Sequence, residues 1–149
     1  MQLLNEFWAL IPARSGSKGI KNKNIVKLGK YPLLAYSIKV ALKIKKIKKV
    51  IVSTNSKKYI KISKKYGCKH FHLRSKKNSG DKSSEFSVFK EYILSEYNNK
   101  KKLPKYFVHF RPTTPIRKLS TISRGIQFFL RRQKNFSAMR SVSLMSEPA

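Results

Sequence analysis

Acidic side chains are scarce: six Asp plus Glu stand against 35 Lys plus Arg in 149 residues. Hard divalent cations need several oxygen ligands, carboxylates above all, and this chain offers few, with Asp81 its only aspartate. Cysteine is nearly absent. Cys68 alone cannot staple the chain to itself, and its neighbours Gly67 and Lys69 give no metal-ligand spacing, so a small, half-buried thiol in a reducing compartment is expected. Nor do His70, His72 and His109 show ligand spacing. The longest apolar run, Phe7 to Ala13, is far too short to span a bilayer. The first residues carry Glu6 where a leader would carry basic groups, so nothing directs export and the cytoplasm is the expected location.

The excess positive charge is abundant but diffuse. Such a field draws phosphorylated small molecules, nucleic acid or anionic lipid. Lysine outnumbers arginine 27 to 8, and the lysines lie scattered among many Asn, Ile and Tyr, the signature of AT-rich codons. Arg-rich clusters with interleaved aromatics would speak for nucleic-acid readout, and they are missing. Nucleic acid is therefore expected to bind only non-specifically. The length and the 40% hydrophobic content suit a single globular domain, 1–149, without repeat or linker.

Apolar runs and helical periodicities alternate. Phe7 to Pro12 reads as a strand buried on both faces. Pro32 opens a helix to about Lys45, and Val50 to Ser53 is a second strand. Ser56 caps a helix to Tyr66 that Gly67 ends, and a weaker strand spans Lys69 to Leu73. Ser84 begins a helix to about Tyr97, Tyr106 to Phe110 is a fourth strand, Ser120 to Arg132 a helix, and Ala138 to Val142 a last strand. The pattern predicts an α/β fold of three layers, a mostly parallel sheet with helices on both faces. Ligands in such folds gather at the carboxyl ends of strands. The polar loops at 13–24, 74–83 and 111–118 each follow a strand and should share that edge.

The first loop reads IPARSGSKGIKNKNI from Ile11 to Ile25. Gly16 and Gly19 permit backbone turns that aim amide hydrogens into one concavity for anions, and Arg14 and Lys18 add charge there. The Walker spacing and the G-x-G-x-x-G pattern both fail. On spacing alone, a phosphate loop and a plain basic turn both remain open.

The same stretch, with LRS at 73–75 leading to GDKSS at 80–84, RPTTPIR at 111–117 and MRSVSLMSEPA at the end, resembles the acylneuraminate cytidylyltransferases, which make CMP-activated sialic acids and related nonulosonic acids. The resemblance runs along nearly the whole chain. Ketodeoxyoctonate (3-deoxy-manno-octulosonate) cytidylyltransferases share the IPAR start but usually lack the S-K-G and K-N continuation, and are the near alternative. The resemblance implies a Rossmann-like nucleotide-diphospho-sugar transferase fold and the transfer of CMP from CTP to the anomeric hydroxyl of a nonulosonic acid. Carried over by position, Arg14 and Lys18 hold the triphosphate as the catalytic cations, with Ala13, Ser17 and the Gly19 region shaping the cradle. Lys23, Asn24 and Arg74 lie on the nucleotide side, and Asp81, Ser83 and Ser84 fall beside cytosine and ribose. Capping its own loop is an equal alternative for Asp81. Arg111, Thr113, Thr114 and Arg117 face the sugar. Arginine at 111 replaces a glutamine common in the best-known members and suits a carboxylate.

Two departures bear on activity. The family's S-T-D after the second strand is Ser53, Thr54, Asn55 here, one carboxylate fewer. Transfer of this kind needs Mg2+, and the family's late Asp-x-Asp metal pair has no counterpart up to Ala149, where relatives continue. The expectation is an N-terminal portion that binds CTP with weak or absent turnover unless a homodimer or a second chain completes the site. Two other readings stand beside it: a basic nucleic-acid-binding protein, and a domain without ligand.

Overall fold

The computed structural model describes residues 3–141. Four strands, β1 (Leu4–Pro12), β4 (Ile47–Thr54), β5 (His70–Leu73) and β6 (Pro104–His109), form one sheet in the order β5-β4-β1-β6, every neighbouring pair parallel. A two-stranded hairpin of β2 (Lys27–Leu28) and β3 (Tyr31–Pro32) precedes α1 (Leu33–Lys43). The remaining helices are α2 (Lys57–Lys65), α3 (Glu85–Asn98) and α4 (Leu119–Arg132). The α/β architecture with a parallel sheet is the one the alternation predicted.

Five consecutive residues of β1, Phe7 to Ile11, are buried, which only a strand covered on both faces allows. The register explains how. Leu10 lies beside Ile51, and with Trp8 they form a cluster closed by Tyr92 and Phe89 of α3. Ala9 and Ile11, beside Val50 and Val52, point to the other face, and α1 and α2 pack together against β4. Fully burying side chains such as Leu10 and Ile51 stabilises by roughly 1.5–3 kcal/mol each. In α1 the buried positions Leu34, Ala35, Ser37, Ile38 and Ala41 make one helical face.

Helix boundaries follow cap chemistry. The hydroxyl of Ser56 accepts the Tyr59 amide and that of Ser84 accepts the Ser87 amide, each opening its helix one residue after the cap. Gly67, at φ +88°, ends the turn after α2 in a left-handed conformation. Cys68 is fully buried instead of half-buried, its thiol directed at the carbonyl oxygens of His70 and Val50.

Contacts divide the chain into two compact units, Met1–Ile116, which holds the whole sheet, and Arg117–Ala149, which holds α4. In the second unit Phe128 is half-exposed beneath Arg132. The strand expected at Ala138–Val142 does not form over 138–141: these residues are exposed and unpaired with any described strand, and β-propensity without a neighbouring strand is not enough. Val142 lies outside the described residues.

Candidate functional site

Strand order sets where a ligand can enter. The chain moves outward from β1 to β4 and β5, then crosses by α3 to place β6 on the other side of β1. The reversal falls between β1 and β6, and a crevice at the carboxyl edge is the usual result. The loops after β1, β5 and β6 leave that edge, as expected.

The first loop is anchored from both sides. The Ala13 amide continues the ladder to the Ser53 carbonyl at 2.8 Å. Asn24, buried, donates to the Arg14 carbonyl at 2.9 Å, and Lys23 begins the single helical turn that carries Asn24. Asn55 Oδ1 accepts both the amide of Ser15 at 2.9 Å and its hydroxyl at 3.1 Å. Asn55 thus supplies an acceptor for the loop without a carboxylate's charge. Gly16 takes φ +82°, as a concave turn requires; Gly19 has ordinary φ and open space around it, so its backbone freedom is not used here.

From this anchored loop two cations reach one point. Arg14 Nη2 donates to Asp81 Oδ1 at 2.7 Å and Lys18 Nζ to Asp81 Oδ2 at 2.9 Å. Hydrogen bonds from Lys18 and Arg14 hold the Asp81 carboxyl below the usual carboxylate range. Asp81 therefore bridges side chains of the first loop; this ion pairing, and not a backbone cap, is where its oxygens are engaged. Lys18 remains largely exposed, whereas Ser17 is half-buried.

The segment leading into α3 carries a second carboxylate. Glu85 Oε2 accepts from Arg111 Nη2 at 2.6 Å and Nε at 3.2 Å, and Glu85 Oε1 lies 3.7 Å from His109 Nε2. Between Asp81 and Glu85, Ser83 exchanges a hydrogen bond with the Ser87 hydroxyl at 3.1 Å, and Ser84 caps the helix. Thr113 and Thr114 are exposed, the Thr114 amide closing a turn onto the Arg111 carbonyl at 3.2 Å. Arg117 belongs to the second compact unit, where burial lowers its pKa.

Arg74 differs from the other candidates because it is buried, 8% exposed. Its amide bonds the Thr54 carbonyl at 3.0 Å, and its Nε donates to the Ser53 carbonyl at 3.2 Å and hydroxyl at 3.0 Å. Nη2 is buried without a partner, and burial pulls the guanidinium down to about 10. A buried donor left unpaired costs about 1–3 kcal/mol, a cost removed when an acceptor arrives. Two residues around it were not among the site residues expected from the sequence, where His72 was read only as a histidine without ligand spacing. His72 Nδ1 lies 2.9 Å from the Ser53 hydroxyl, and Glu91 of α3 accepts from the Ser75 amide and from Asn78, each at 2.9 Å. The signal for His72 was its position alternating with His70 on a strand; for Glu91 it was an acid inside an amphipathic helix of a chain so poor in acids.

For Mg2+ the described residues fit poorly. No three of His, Cys, Asp and Glu gather where they would hold a metal, and Asp81 and Glu85 are each already paired with cations. Among the described residues, no helix is long and apolar enough to cross a membrane.

Residues 8–143 match the cytidylyltransferase family model, and the chain belongs to that family. It is 38% identical over 141 residues to an N-acylneuraminate cytidylyltransferase of Escherichia coli, an alignment covering 95% of this chain and 32% of that protein. It is 37% identical over 89 residues to a CMP-N,N'-diacetyllegionaminic acid synthase of Campylobacter jejuni, covering 60% of this chain and 38% of the other. The fold is similar to that of a CMP:2-keto-3-deoxy-manno-octonic acid synthetase solved with CTP, at TM-score 0.71 and 16% identity, covering 86% of this chain and 48% of that one. The chain thus spans about a third of the length of these two curated relatives.

Proposed function

We propose that this chain is the nucleotide-binding portion of a cytidylyltransferase that transfers CMP from CTP to the anomeric hydroxyl of a sialic-acid-like nonulosonic acid, and that on its own it binds CTP with little or no turnover. In the transfer, the anomeric oxygen forms a bond to the α-phosphorus while the bond to the β-phosphate oxygen breaks. The hydroxyl proton passes to solvent and pyrophosphate leaves.

The observation that carries the reading is the meeting of Arg14 and Lys18 on one anion, at 2.7 and 2.9 Å. Charge builds on the α-phosphate and the leaving pyrophosphate, and cations fixed in advance lower that barrier. The triphosphate takes the place of Asp81 between these two cations, over the cradle of Ala13, Ser17, Lys23 and Asn24. Asp81 then turns with Ser83 and Ser84 to ribose and cytosine, and Arg74 supports the nucleotide from below. Arg111, already gripping the Glu85 carboxylate through two nitrogens, is built for the carboxylate of a sugar acid. Thr113 and Thr114 serve the same substrate, with Arg117 assigned by resemblance. Mg2+ would shield the phosphates of such a reaction, and its ligands are not provided by the described residues.

Titration calorimetry with CTP and then ATP at low salt tests the reading: CTP is expected to bind more tightly, and equal affinities would remove it. Lys18→Gln is expected to abolish CTP binding. A nucleic-acid binder of +29 formal charge would instead keep its affinity in this variant and lose it steeply with added salt.

A further inference from the structure

Starting at the Arg74 guanidinium, polar contacts run in a circuit that returns to the backbone of the same segment. Nε–H can only donate, so the Ser53 hydroxyl accepts it at 3.0 Å and keeps one proton to give. That proton goes to His72 Nδ1, 2.9 Å away. His72 is buried, which favours its neutral form, and with Nδ1 accepting, the ring proton sits on Nε2. Nε2 lies 4.0 Å from Glu91 Oε2, beyond a hydrogen bond, so the two residues act on Arg74 by separate arms. Glu91 Oε1 in turn accepts the amide of Ser75, the residue after Arg74, and Oε2 accepts from Asn78. The Arg74 amide is pinned on the other side by Thr54. Register explains the assembly: Ser53 pairs with His72 between β4 and β5, on the sheet face that α3 covers.

We propose that His72 and Glu91 are positioning residues for Arg74, fixing its guanidinium through Ser53 and its backbone through Ser75 so that its unpaired Nη2 stands ready for the nucleotide. This rests on the nucleotide reading of the site. Neither residue touches the ligand. Without the circuit the arginine has other rotamers and a long, flexible stem, and the ordering would have to occur on binding.

The test uses the whole chain and a double-mutant cycle of Glu91→Gln with Arg74→Gln, read by titration calorimetry with CTP. Glu91→Gln alone is expected to weaken CTP about tenfold, the scale of one charge-assisted hydrogen bond, and to add nothing once Arg74 is replaced. Losses that simply add in the double variant would overturn the proposal, because a merely structural glutamate would act without Arg74. Should Glu91→Gln fail to fold, His72→Phe takes its place in the same cycle. His72→Asn, which keeps an acceptor for Ser53, is expected to bind CTP within about twofold of the parent. A second readout needs no nucleotide. The Arg74 Nε–H should give a slowly exchanging nitrogen-15 resonance that Glu91→Gln accelerates, and unchanged exchange would sink the circuit even in a chain that binds CTP. A parent chain that ignores CTP but shows this exchange effect would instead remove the nucleotide reading and leave the circuit standing.

Discussion

Asp81 meets Arg14 at 2.7 Å across 67 positions of sequence and, with Lys18 at 2.9 Å, ties the second polar loop to the first. The pair is exposed, so its contribution to folding is small. On the proposed reading its weight falls on ligand binding, because an incoming phosphate would have to displace the carboxylate. Replacing Asp81 with Asn is expected to tighten inorganic pyrophosphate about threefold at low salt, and the gain should fade as salt rises. Calorimetry against pyrophosphate at two ionic strengths measures it, and weaker binding would show that Asp81 helps instead of blocking. The advantage of CTP over pyrophosphate should shrink in the same variant, since the contact proposed for the nucleoside is lost.

Asn55 supplies the only oxygen bonded to Ser15 among the described contacts, at 2.9 Å to its amide. Asn55→Ala leaves that amide and the hydroxyl without their acceptor. A loss of about 1–2 kcal/mol is expected in urea unfolding, together with weaker CTP binding, because the loop that carries Arg14 loosens. Unfolding that matches the parent would mean that the loop is held elsewhere.

His72 makes the fold sensitive to mild acid. Burial lowers its pKa below the ordinary histidine value of about 6.5, so the unfolded chain takes up a proton before the folded one does. The stabilising difference is complete above the unfolded value and is lost as pH falls from about 6.5 toward the lower folded value. His70 is shifted in the same direction, again chiefly by burial. Melting temperature should therefore drop between about pH 7 and pH 5, and His72→Asn should flatten that slope while leaving the share due to His70. A slope that His72→Asn does not change would contradict the buried, neutral assignment.

Two features that act together disfavour replacing Gly67. Its φ is +88°, and a Cβ would meet Leu42 Cδ1 at 3.2 Å. Gly67→Ala is expected to cost about 1–2 kcal/mol from the left-handed backbone alone, seen as a lower melting temperature with CTP affinity little changed. Gly19→Ala, at ordinary φ with open space, should leave stability within about 0.5 kcal/mol of the parent.

The sequence made the sheet legible because its signals were local: an unbroken apolar run at Phe7 to Ile11, serine caps at Ser56 and Ser84, a glycine stop at Gly67. The hairpin at Lys27–Leu28 and Tyr31–Pro32 escaped because two-residue strands have no periodicity to read, and only Gly29 at φ +58° marks the turn. The strand expected at Ala138 failed for the opposite reason, since propensity was there without a partner. For the site, motif order placed Arg14, Lys18, Arg74, Asp81 and Arg111 after the right elements. It could not say which cations find which carboxylates. Pairings such as Glu85 with Arg111, or the burial of Arg74 over Ser53, depend on how loops fold over the sheet, and residues distant in sequence carry no mark of such contact.

The two carboxylates that occupy Arg14, Lys18 and Arg111 stand four positions apart on one segment, Asp81 to Glu85. Entry of an anionic guest is consequently an exchange of one tenant for another and not the filling of an empty berth. Part of the attraction that so basic a protein exerts is already spent inside it, and the ionic-strength dependence of binding should be gentler than a tally of its lysines and arginines suggests. Any movement of that single segment would also vacate both anion positions at once, linking the arrival of one anion to room for a second.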